Sequence, residues 1–390
     1  MIILFWISLF IVFYAFAGYG IFLYILIRIK RWMGKKNVAY NVPDTALPTV
    51  ALLIAAYNEE DYIEEKIKNC LELDYPPTLF DIVFVTDGSN DRTPEKIERY
   101  PEVRLFHKPE RSGKMAAIKR VLPELNSDIV VFTDANTFLN KDAIRELVKH
   151  YQNPKVGAVA GEKKIMMEAT ADASSAGEGF YWKYESALKK WDYELYSNVG
   201  AAGELFSIRR SLYQPVEADT IIDDHMIAMR IAEKGYIIAY EPKAYALETA
   251  SANSKEELKR KIRIAAGGMQ SIMRLKKAIN PFNNPILTFQ YISHRVLRWT
   301  VTPFLMILVF ILNIAIVAGD HASIYKLLLI AQVLFYALSL LGYFFEKRQL
   351  RIKACFIPYY FCMMNYAVIA GINRYFKKSQ SAAWEKSKRK

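Results

Sequence analysis

The chain has 390 residues and is 53% hydrophobic, so it is long enough for one large domain with additional segments or for two domains. Its net charge of +12 favours an anionic partner, either nucleic acid or a membrane surface. The three cysteines, Cys70, Cys355 and Cys362, contain no C-x-x-C pair, which excludes a disulfide framework.

The first 27 residues are uncharged and almost wholly apolar. This length exceeds the roughly 20 residues that a membrane-spanning helix needs. No Lys or Arg precedes the apolar run, whereas Arg28, Lys30 and Arg31 follow it, which favours a membrane helix over a signal peptide. Positive charge marks the cytoplasmic side, so the next domain is expected in the cytoplasm. We predict a transmembrane helix over 1–29 and a basic linker over 30–47.

Strands and helices alternate over the region that follows, 48–250, the predicted cytosolic catalytic domain. Apolar, β-branched runs predict strands at 49–56, 81–86, 103–107, 130–134 and 156–160. Helices are expected to begin at Asn58, after Arg111 and at Asp142, and a later one at Asp223. This alternation predicts an α/β fold with a doubly wound, mostly parallel sheet.

Polar residues follow three of these strands, at Glu59, Asp87 and Asp134. Ligands of open α/β sheets bind at such carboxyl ends. Asp134 and Asn136 should point the same way, and their oxygens suit a hard cation such as Mg²⁺ or Mn²⁺ that bridges to a diphosphate. The structural alternative is a turn capped by Asp and Asn. A Rossmann site is disfavoured because no G-x-G-x-x-G follows the first strand.

Four motifs in this region occur in a characteristic order: AAYNEE at 55–60, DGS at 87–89, RSGK at 111–114 and TDAN at 133–136. Together they resemble the nucleotide-sugar half of family 2 glycosyltransferases. The chain is similar to membrane-embedded polysaccharide synthases of the chitin, hyaluronan and poly-N-acetylglucosamine type. The resemblance covers residues 48–270. It implies a GT-A fold and an inverting transfer from a nucleoside diphosphate sugar, with a UDP-sugar as the expected donor.

The resemblance also implies which residues bind the donor: Ala55, Tyr57, Glu59, Asp87, Lys114 and Asp134. Among them, Tyr57, Glu59 and Asp87 would contact the base and ribose, and Lys114 the base or diphosphate. Asp134 and Asn136 would bind a divalent cation, although family members often have Asp where Asn136 stands. The structural alternatives are a helix-dipole acid for Glu59 and a solvated helix residue for Lys114.

The acceptor side is assigned in the same way. Gly203 and Glu204 lie in a segment that looks like the acceptor-side segment of the family. Asp223 and Asp224 resemble its Glu-Asp pair, whose second member is the base. Asp224 would therefore take the proton of the acceptor hydroxyl, with a helix N-terminal cap as the structural alternative.

The Q-x-x-R-W element of the family is altered at 260–264. Arg260 replaces Gln on the acceptor side, and Arg263 is kept and would neutralise the leaving diphosphate. Ile264 replaces Trp, which removes a sugar-stacking platform and counts against processive synthesis.

The C-terminal part is membrane-like, with amphipathic interface helices over 251–300 and transmembrane segments over 301–373. Two spans are predicted at 301–318 and 324–345, and 355–372 either spans or is re-entrant. Three full spans would place the basic tail, 374–390, outside, whereas its charge favours the cytoplasm. Trp384 in this tail resembles an acceptor-side gating segment of related synthases.

The sequence thus predicts a multi-pass cell-membrane glycosyltransferase with its catalytic domain in the cytoplasm. It would add sugars to a growing β-linked cell-surface polysaccharide, with membrane lipids around it. One alternative is transfer of a single sugar to a polyprenyl phosphate or other lipid acceptor. Another is an inactive binding or scaffold protein with a transferase fold. Nucleic acid is not an expected partner, because the Lys and Arg residues cluster beside apolar segments.

Overall fold

The computed structural model describes residues 1–34, 43, 46–166, 173–249, 254–319, 322–348, 350 and 352–379. Its central part is one mixed sheet with helices on both faces. The strands are β1 (Val50–Ala56), β2 (Phe80–Asp87), β3 (Arg104–Lys108), β4 (Ile129–Asp134), β5 (Thr137–Leu139), β6 (Val156–Ile165), β7 (Phe206–Arg209) and β8 (Ile237–Glu248). The helices of this part are α3 (Ile63–Leu71), α4 (Thr93–Glu98), α5 (Lys114–Val121), α6 (Ala143–Val148), α7 (Ala173–Leu195) and α8 (Asp223–Glu233).

The strand order is β3-β2-β1-β4-β7-β6-β8-β5. Neighbouring strands from β3 to β4 are parallel, as are β6 and β8, whereas β7 runs antiparallel to β4 and β6, and β5 to β8. Every residue of β1 is buried, which matches the continuous apolar run of a strand covered on both faces. The predicted α/β fold is confirmed, and the antiparallel β7 makes the sheet mixed.

Each face of the sheet has its own core. On one face, residues of α5 and α8 pack with later helical residues such as Leu287 and Tyr291. On the other face, residues of α3, α4 and α6 pack against the opposite sides of the same strands. Side chains alternate along a strand, so β1 contributes Leu53 to the first core and Leu52 to the second.

Apolar helices flank the sheet domain in the sequence. Before it lie α1 (Ile2–Phe13) and α2 (Tyr19–Trp32), joined without a break by a π-helical turn at Tyr14–Gly18. After it come α9 (Ser254–Arg274), α10 (Pro285–Tyr291), a π-helical turn (Ile292–Val296), α11 (Leu297–Trp299), α12 (Thr302–Ala318), α13 (Ser323–Lys347) and α14 (Lys353–Phe376). Among the described residues, Ile2–Trp32, Ser323–Lys347 and Lys353–Phe376 are long and apolar enough to cross a membrane, and α12 joins them if the bent pair Pro285–Trp299 and Thr302–Ala318 is one span.

The helix α14 packs closely on α9 along its length. A Cβ atom on Gly371 would lie 2.6 Å from Cβ of Ala265, so the two helices touch where these residues face each other. Tyr375, at the end of α14, packs against the buried cluster that Ile221 and Ile222, directly before α8, form with Ala266 of α9. At the other end of α14, Cys355 lies against Gly342 of α13.

Local details differ from the sequence-based expectations near Asn58. The predicted helix there begins only at Ile63, because Asn58 adopts a left-handed conformation with φ of 55°. Its side chain forms two hydrogen bonds with Asn90 in the loop after β2, at 2.7 and 3.0 Å. An asparagine can adopt this conformation when its side chain bonds locally. The helix predicted from Asp142 is also shorter, since α6 gives way to a 3-10 turn at Lys149.

Candidate active site at the carboxyl ends of the parallel strands

A cavity of about 1380 Å³ lies where β4, the start of α5, the start of α8, α9 and α14 meet. It brings together ten of the residues predicted from the sequence: Glu59, Lys114, Asp134, Asn136, Gly203, Glu204, Asp223, Asp224, Arg260 and Arg263. Ala55, Tyr57 and Asp87 line a smaller adjoining pocket, which shares Lys114 with the cavity. Trp384 falls outside the described residues.

Asp87 ends β2 at the floor of the smaller pocket. Its Oδ2 atom accepts hydrogen bonds from the backbone N–H groups of Ser112, at 2.8 Å, and Gly113, at 2.5 Å. Gly113 has φ of 97°, a conformation that glycine adopts without strain. The Oδ1 atom of Asp87 is buried and has no hydrogen-bond partner in the described structure. A buried acceptor of this kind is costly unless a ligand N–H or O–H binds it.

Tyr57 and Arg111 form the wall of the same pocket. The guanidinium carbon of Arg111 lies 3.8 Å from the centre of the Tyr57 ring, and Arg111 Nη1 donates to the Tyr57 hydroxyl at 3.1 Å. A flat cation stacked on an aromatic face is a favourable pair that fixes both groups. The pocket therefore combines a planar wall with an unpaired carboxylate oxygen.

Lys114 begins α5 and joins two groups of acids across the large cavity. Its Nζ atom lies 3.1 Å from Oδ1 of Asp134 and 3.4 Å from Oδ2 of Asp223. Burial opposes the charged form of Lys114, but Asp134, Asp223 and Asp224 together raise its pKa. The ammonium group is therefore held in its charged form, close to where an anionic ligand would lie.

Asp224 lies in the first turn of α8, beside Asp223. Burial is the largest cause that raises the pKa of Asp224, to about 7, and the negative charge of Asp223 is the second. The positive charge of Lys114 lowers this pKa. A Cβ atom on Gly203 would lie 3.6 Å from Oδ2 of Asp224 and 3.8 Å from Oδ2 of Asp134, so both carboxylates face this glycine. A carboxylate with a pKa near neutrality is suited to proton transfer.

The oxygen donors fit a hard divalent cation that takes further ligands from elsewhere. Asp134 and Asn136 both line the cavity, and burial raises the pKa of Asp134. The described residues contain no group of three His, Cys, Asp or Glu side chains arranged to hold a metal. Mg²⁺ is commonly bound by one or two carboxylates together with substrate phosphates and water. The donor set therefore fits a cation that arrives with a diphosphate.

A network of buried ion pairs lines another part of the cavity, and two of its members were not predicted from the sequence. Lys163 Nζ lies 2.5 Å from Oε1 of Glu204 and also contacts Glu248. Arg260 reaches the same oxygen of Glu204 at 3.9 Å and forms two hydrogen bonds of 3.1 Å with Glu257. Burial disfavours the charged form of Glu204, but Lys163 and Arg260 hold its pKa well below the usual range. Lys163 and Glu248 were not predicted as site residues, because both lie in strands and belong to no motif recognised in the sequence.

Trp299 places an aromatic ring in the cavity. This was not expected from the sequence, because the tryptophan of the family motif is replaced here by Ile264. Trp299 lines the cavity, and its ring lies 5.3 Å from that of His225 and 5.5 Å from the guanidinium of Arg295. A Cβ atom on Gly268 would come within 2.6 Å of the Trp299 ring, so α9 must have glycine there. The tryptophan comes from a different helix than the family pattern indicates.

Residues 51–216 match the model of the family described as Glycosyl transferase family 2. This stretch, which is less than half of the chain, resembles a family 2 glycosyltransferase domain, and the comparisons together support a glycosyltransferase with a GT-A-like fold. A mannosyltransferase from Pyrobaculum calidifontis, PcManGT, solved in complex with GDP-Man and Mn²⁺, has a similar structure. The TM-score is 0.72 and the identity 24%, over 97% of this chain and 100% of that one. This likeness confirms the fold, including the apolar helices at both ends.

Curated relatives point to polysaccharide synthases. The chain is 28% identical over 265 residues to the poly-beta-1,6-N-acetyl-D-glucosamine synthase of Staphylococcus aureus strain MSSA476, which covers 65% of this chain and 62% of the relative. It is also 28% identical over 243 residues to the probable glycosyltransferase YdaM of Bacillus subtilis strain 168, covering 58% and 57% of the two chains. The alignments thus span less than two thirds of these relatives' length.

Proposed function

We propose that the protein is a membrane-bound inverting glycosyltransferase that uses a nucleoside diphosphate sugar, with a UDP-sugar as the donor. The observation that carries the proposal is the single cavity that joins Lys114 and Asp134 to Asp224. The base of the nucleotide would stack in the pocket of Tyr57 and Arg111, with its N–H donating to Oδ1 of Asp87. The diphosphate would then lie at Lys114.

The chemical step follows from the charges of the cavity. Asp224 accepts the proton of the acceptor hydroxyl as the oxygen bonds to the anomeric carbon. The bond from that carbon to the diphosphate breaks on the opposite face, so the configuration inverts. The leaving diphosphate gains negative charge, which Lys114 and Arg263 stabilise. A divalent cation held by Asp134 and Asn136 would neutralise more of that charge when bound, and the Mn²⁺ in the PcManGT complex supports this assignment.

A growing β-linked polysaccharide is the acceptor that we propose. Sugars stack on aromatic faces, and Trp299 offers such a face inside the cavity. Glu204, kept ionised by Lys163 and Arg260, can accept hydrogen bonds from sugar hydroxyls. The similarity to the Staphylococcus aureus polysaccharide synthase supports the same acceptor.

A lipid phosphate is the second candidate, favoured by a separate observation. The cavity extends to Met364, Ala367 and Val368 of α14, where an apolar chain could lie, and the cations Arg295 and Arg374 also line the cavity. A scaffold without activity is disfavoured, because a carboxylate that lines a cavity and has a pKa raised by burial and a neighbouring acid is typical of functional sites.

We also propose that the catalytic domain is cytoplasmic and that α14 does not cross the membrane. Both ends of α14 lie against elements of the catalytic side. Near its start, the cluster of Phe356, Tyr360 and Met363 packs with Leu258 of α9. At its far end, Tyr375 packs against the cluster of Ile221, Ile222 and Ala266. The positive charges that follow the first apolar helices support the cytoplasmic assignment.

Purified protein in membranes, incubated with a panel of radiolabelled nucleotide sugars, tests this function. We expect incorporation from one donor, dependent on divalent cation and lost in Asp224→Asn. Incorporation from none of the donors, or equal incorporation by the variant, would overturn the proposal.

A further inference from the structure

A lysine lies completely buried under the turn that joins β4 to β5. Lys66 of α3 has no exposed surface, whereas Glu65 and Lys68 of the same helix are exposed. Its Nζ atom lies 2.5 Å from the carbonyl oxygen of Thr137 and 3.2 Å from Oγ1 of Thr133. An ammonium group in the interior is very costly unless it is hydrogen-bonded, so these contacts hold it in place.

The two threonines bound by Lys66 stand at the two ends of the turn that carries Asp134 and Asn136. Thr137 donates from Oγ1 to the carbonyl oxygen of Asp134 at 2.9 Å. Thr133 donates from Oγ1 to the carbonyl oxygen of Glu204, also at 2.9 Å. The Nζ atom of Lys66 therefore fixes the backbone at Thr137 on the donor side. Through the hydroxyl of Thr133 it also fixes the backbone at Glu204 on the acceptor side.

Asn69, on the same helix, provides a comparison, because its uncharged side chain also bonds to the backbone near the turn. Asn69 binds the backbone of Leu139, accepting from its N–H at 2.8 Å and donating to its carbonyl at 2.9 Å. These bonds hold β5 but reach neither threonine. Lys66 and Asn69 thus both connect α3 to the segment of the turn and β5. Of these two residues, only Lys66 lies under Asp134 and Asn136.

We propose that Lys66 is a positioning residue that sets the Asp134–Asn136 turn in the conformation that binds a divalent cation together with the donor diphosphate. The inference rests on the proposed function, because it concerns the donor site of that reaction. Lys66 has no exposed surface and cannot touch a ligand, so it acts only through the turn. Burial lowers the pKa of Lys66, and the two hydrogen bonds from its Nζ atom can be donated by either the ammonium or the amine form.

The test compares Lys66→Met with the wild-type protein in detergent, by calorimetry with two probes. UDP with Mn²⁺ reports on the diphosphate and cation, and UMP without metal reports on the base pocket around Asp87. Loss of a group that orients metal ligands typically weakens binding about 10- to 100-fold, and we expect this for UDP with Mn²⁺. UMP affinity should change less than about twofold, because Asp87 is held by other residues.

Asn69→Ala is the matched control, since it removes a contact from the same helix to the same loop. It should lower the melting temperature without changing the ratio of UDP to UMP affinity. Thr133→Val removes the hydroxyl through which Lys66 reaches the carbonyl of Glu204 but keeps the bond from Lys66 to Thr137, so it should give a smaller selective loss of the same kind even if Lys66→Met does not fold. Unchanged UDP affinity in both variants, or equal loss of UDP and UMP binding, would overturn the inference. A wild-type protein that binds neither probe would instead contradict the proposed function.

Discussion

The ammonium nitrogen of Lys114 lies 3.4 Å from the Oδ2 atom of Asp223. This contact joins the start of α5, on the donor side of the cavity, to the start of α8, which carries Asp224. Lys114 also binds Asp134, so one positive charge faces all three acids. The charge of the proposed base therefore depends on a residue of the donor site.

The first prediction concerns pH. Asp224 must be deprotonated to act as a base, and its pKa is raised to about 7, so the transfer rate should rise as pH increases through neutrality. Lys114 lowers that pKa, so Lys114→Met should move the rise to higher pH as well as weaken donor binding. Initial rates at saturating donor across the neutral range provide the measurement. A rate independent of pH would remove Asp224 from the role of base.

Asp224→Asn should reduce the transfer rate by about 10²- to 10⁴-fold, because the amide cannot take a proton. Donor affinity should stay close to that of the wild type, since the base acts on the chemical step. The control is Asp219→Asn, which changes an exposed acid on the cavity rim that is paired with Arg274 at 2.7 Å. Wild-type turnover in Asp224→Asn would refute the assignment.

Two substitutions should separate the parts of the donor site. Asp87→Ala removes the unpaired oxygen of the base pocket and should weaken UMP and UDP alike, by about tenfold or more. Asp134→Ala should weaken only UDP in the presence of Mn²⁺, and chelator should abolish the difference from the wild type. Calorimetry on both variants gives these affinities. If neither variant differs from the wild type, the nucleotide binds elsewhere.

Mass spectrometry of the product distinguishes the two acceptor candidates. We expect chains of several β-linked units at saturating donor, because we propose that Trp299 and Glu204, which both line the cavity, contact the glycan. Trp299→Ala should shorten the chains more than it slows the first transfer, since stacking holds the acceptor end. Accumulation of singly glycosylated lipid alone would favour the lipid phosphate candidate.

Gly371→Leu should separate α14 from α9. A side chain at this position would meet the backbone nitrogen of Ala266 at 2.7 Å, and neither helix can yield without losing other contacts. We expect a lower melting temperature and lower activity, because Arg263 and Arg374 line the cavity on these two helices. Tyr366→Leu, at an exposed position of α14, is the control and should leave both unchanged. Full activity in Gly371→Leu would show that this helix contact is dispensable.

The position of the acids in the proposed donor site was predictable, because these acids lie at or shortly after the ends of apolar strands. Asp87 and Asp134 end β2 and β4, as their sequence positions indicate. The insertion of antiparallel β7 between β4 and β6 was not predictable, since strand order depends on contacts distant in sequence. The burial of Lys66 was not predictable for a similar reason, because a lysine in a helix segment with several other charged residues is usually solvated. Trp299 takes part in the cavity only because Gly268 lets two helices approach.

The contacts at the two ends of α14 bear on whether the chain crosses the membrane an odd or an even number of times. If α14 stays on the catalytic side, three segments remain to cross: α1 with α2, α12 and α13. An odd number places the outer end of α1 and the residues after Phe376 in different compartments. Lys377 and Lys378 then share the compartment of Arg28 and Arg31, so the same electrical asymmetry of the membrane favours both groups of charges.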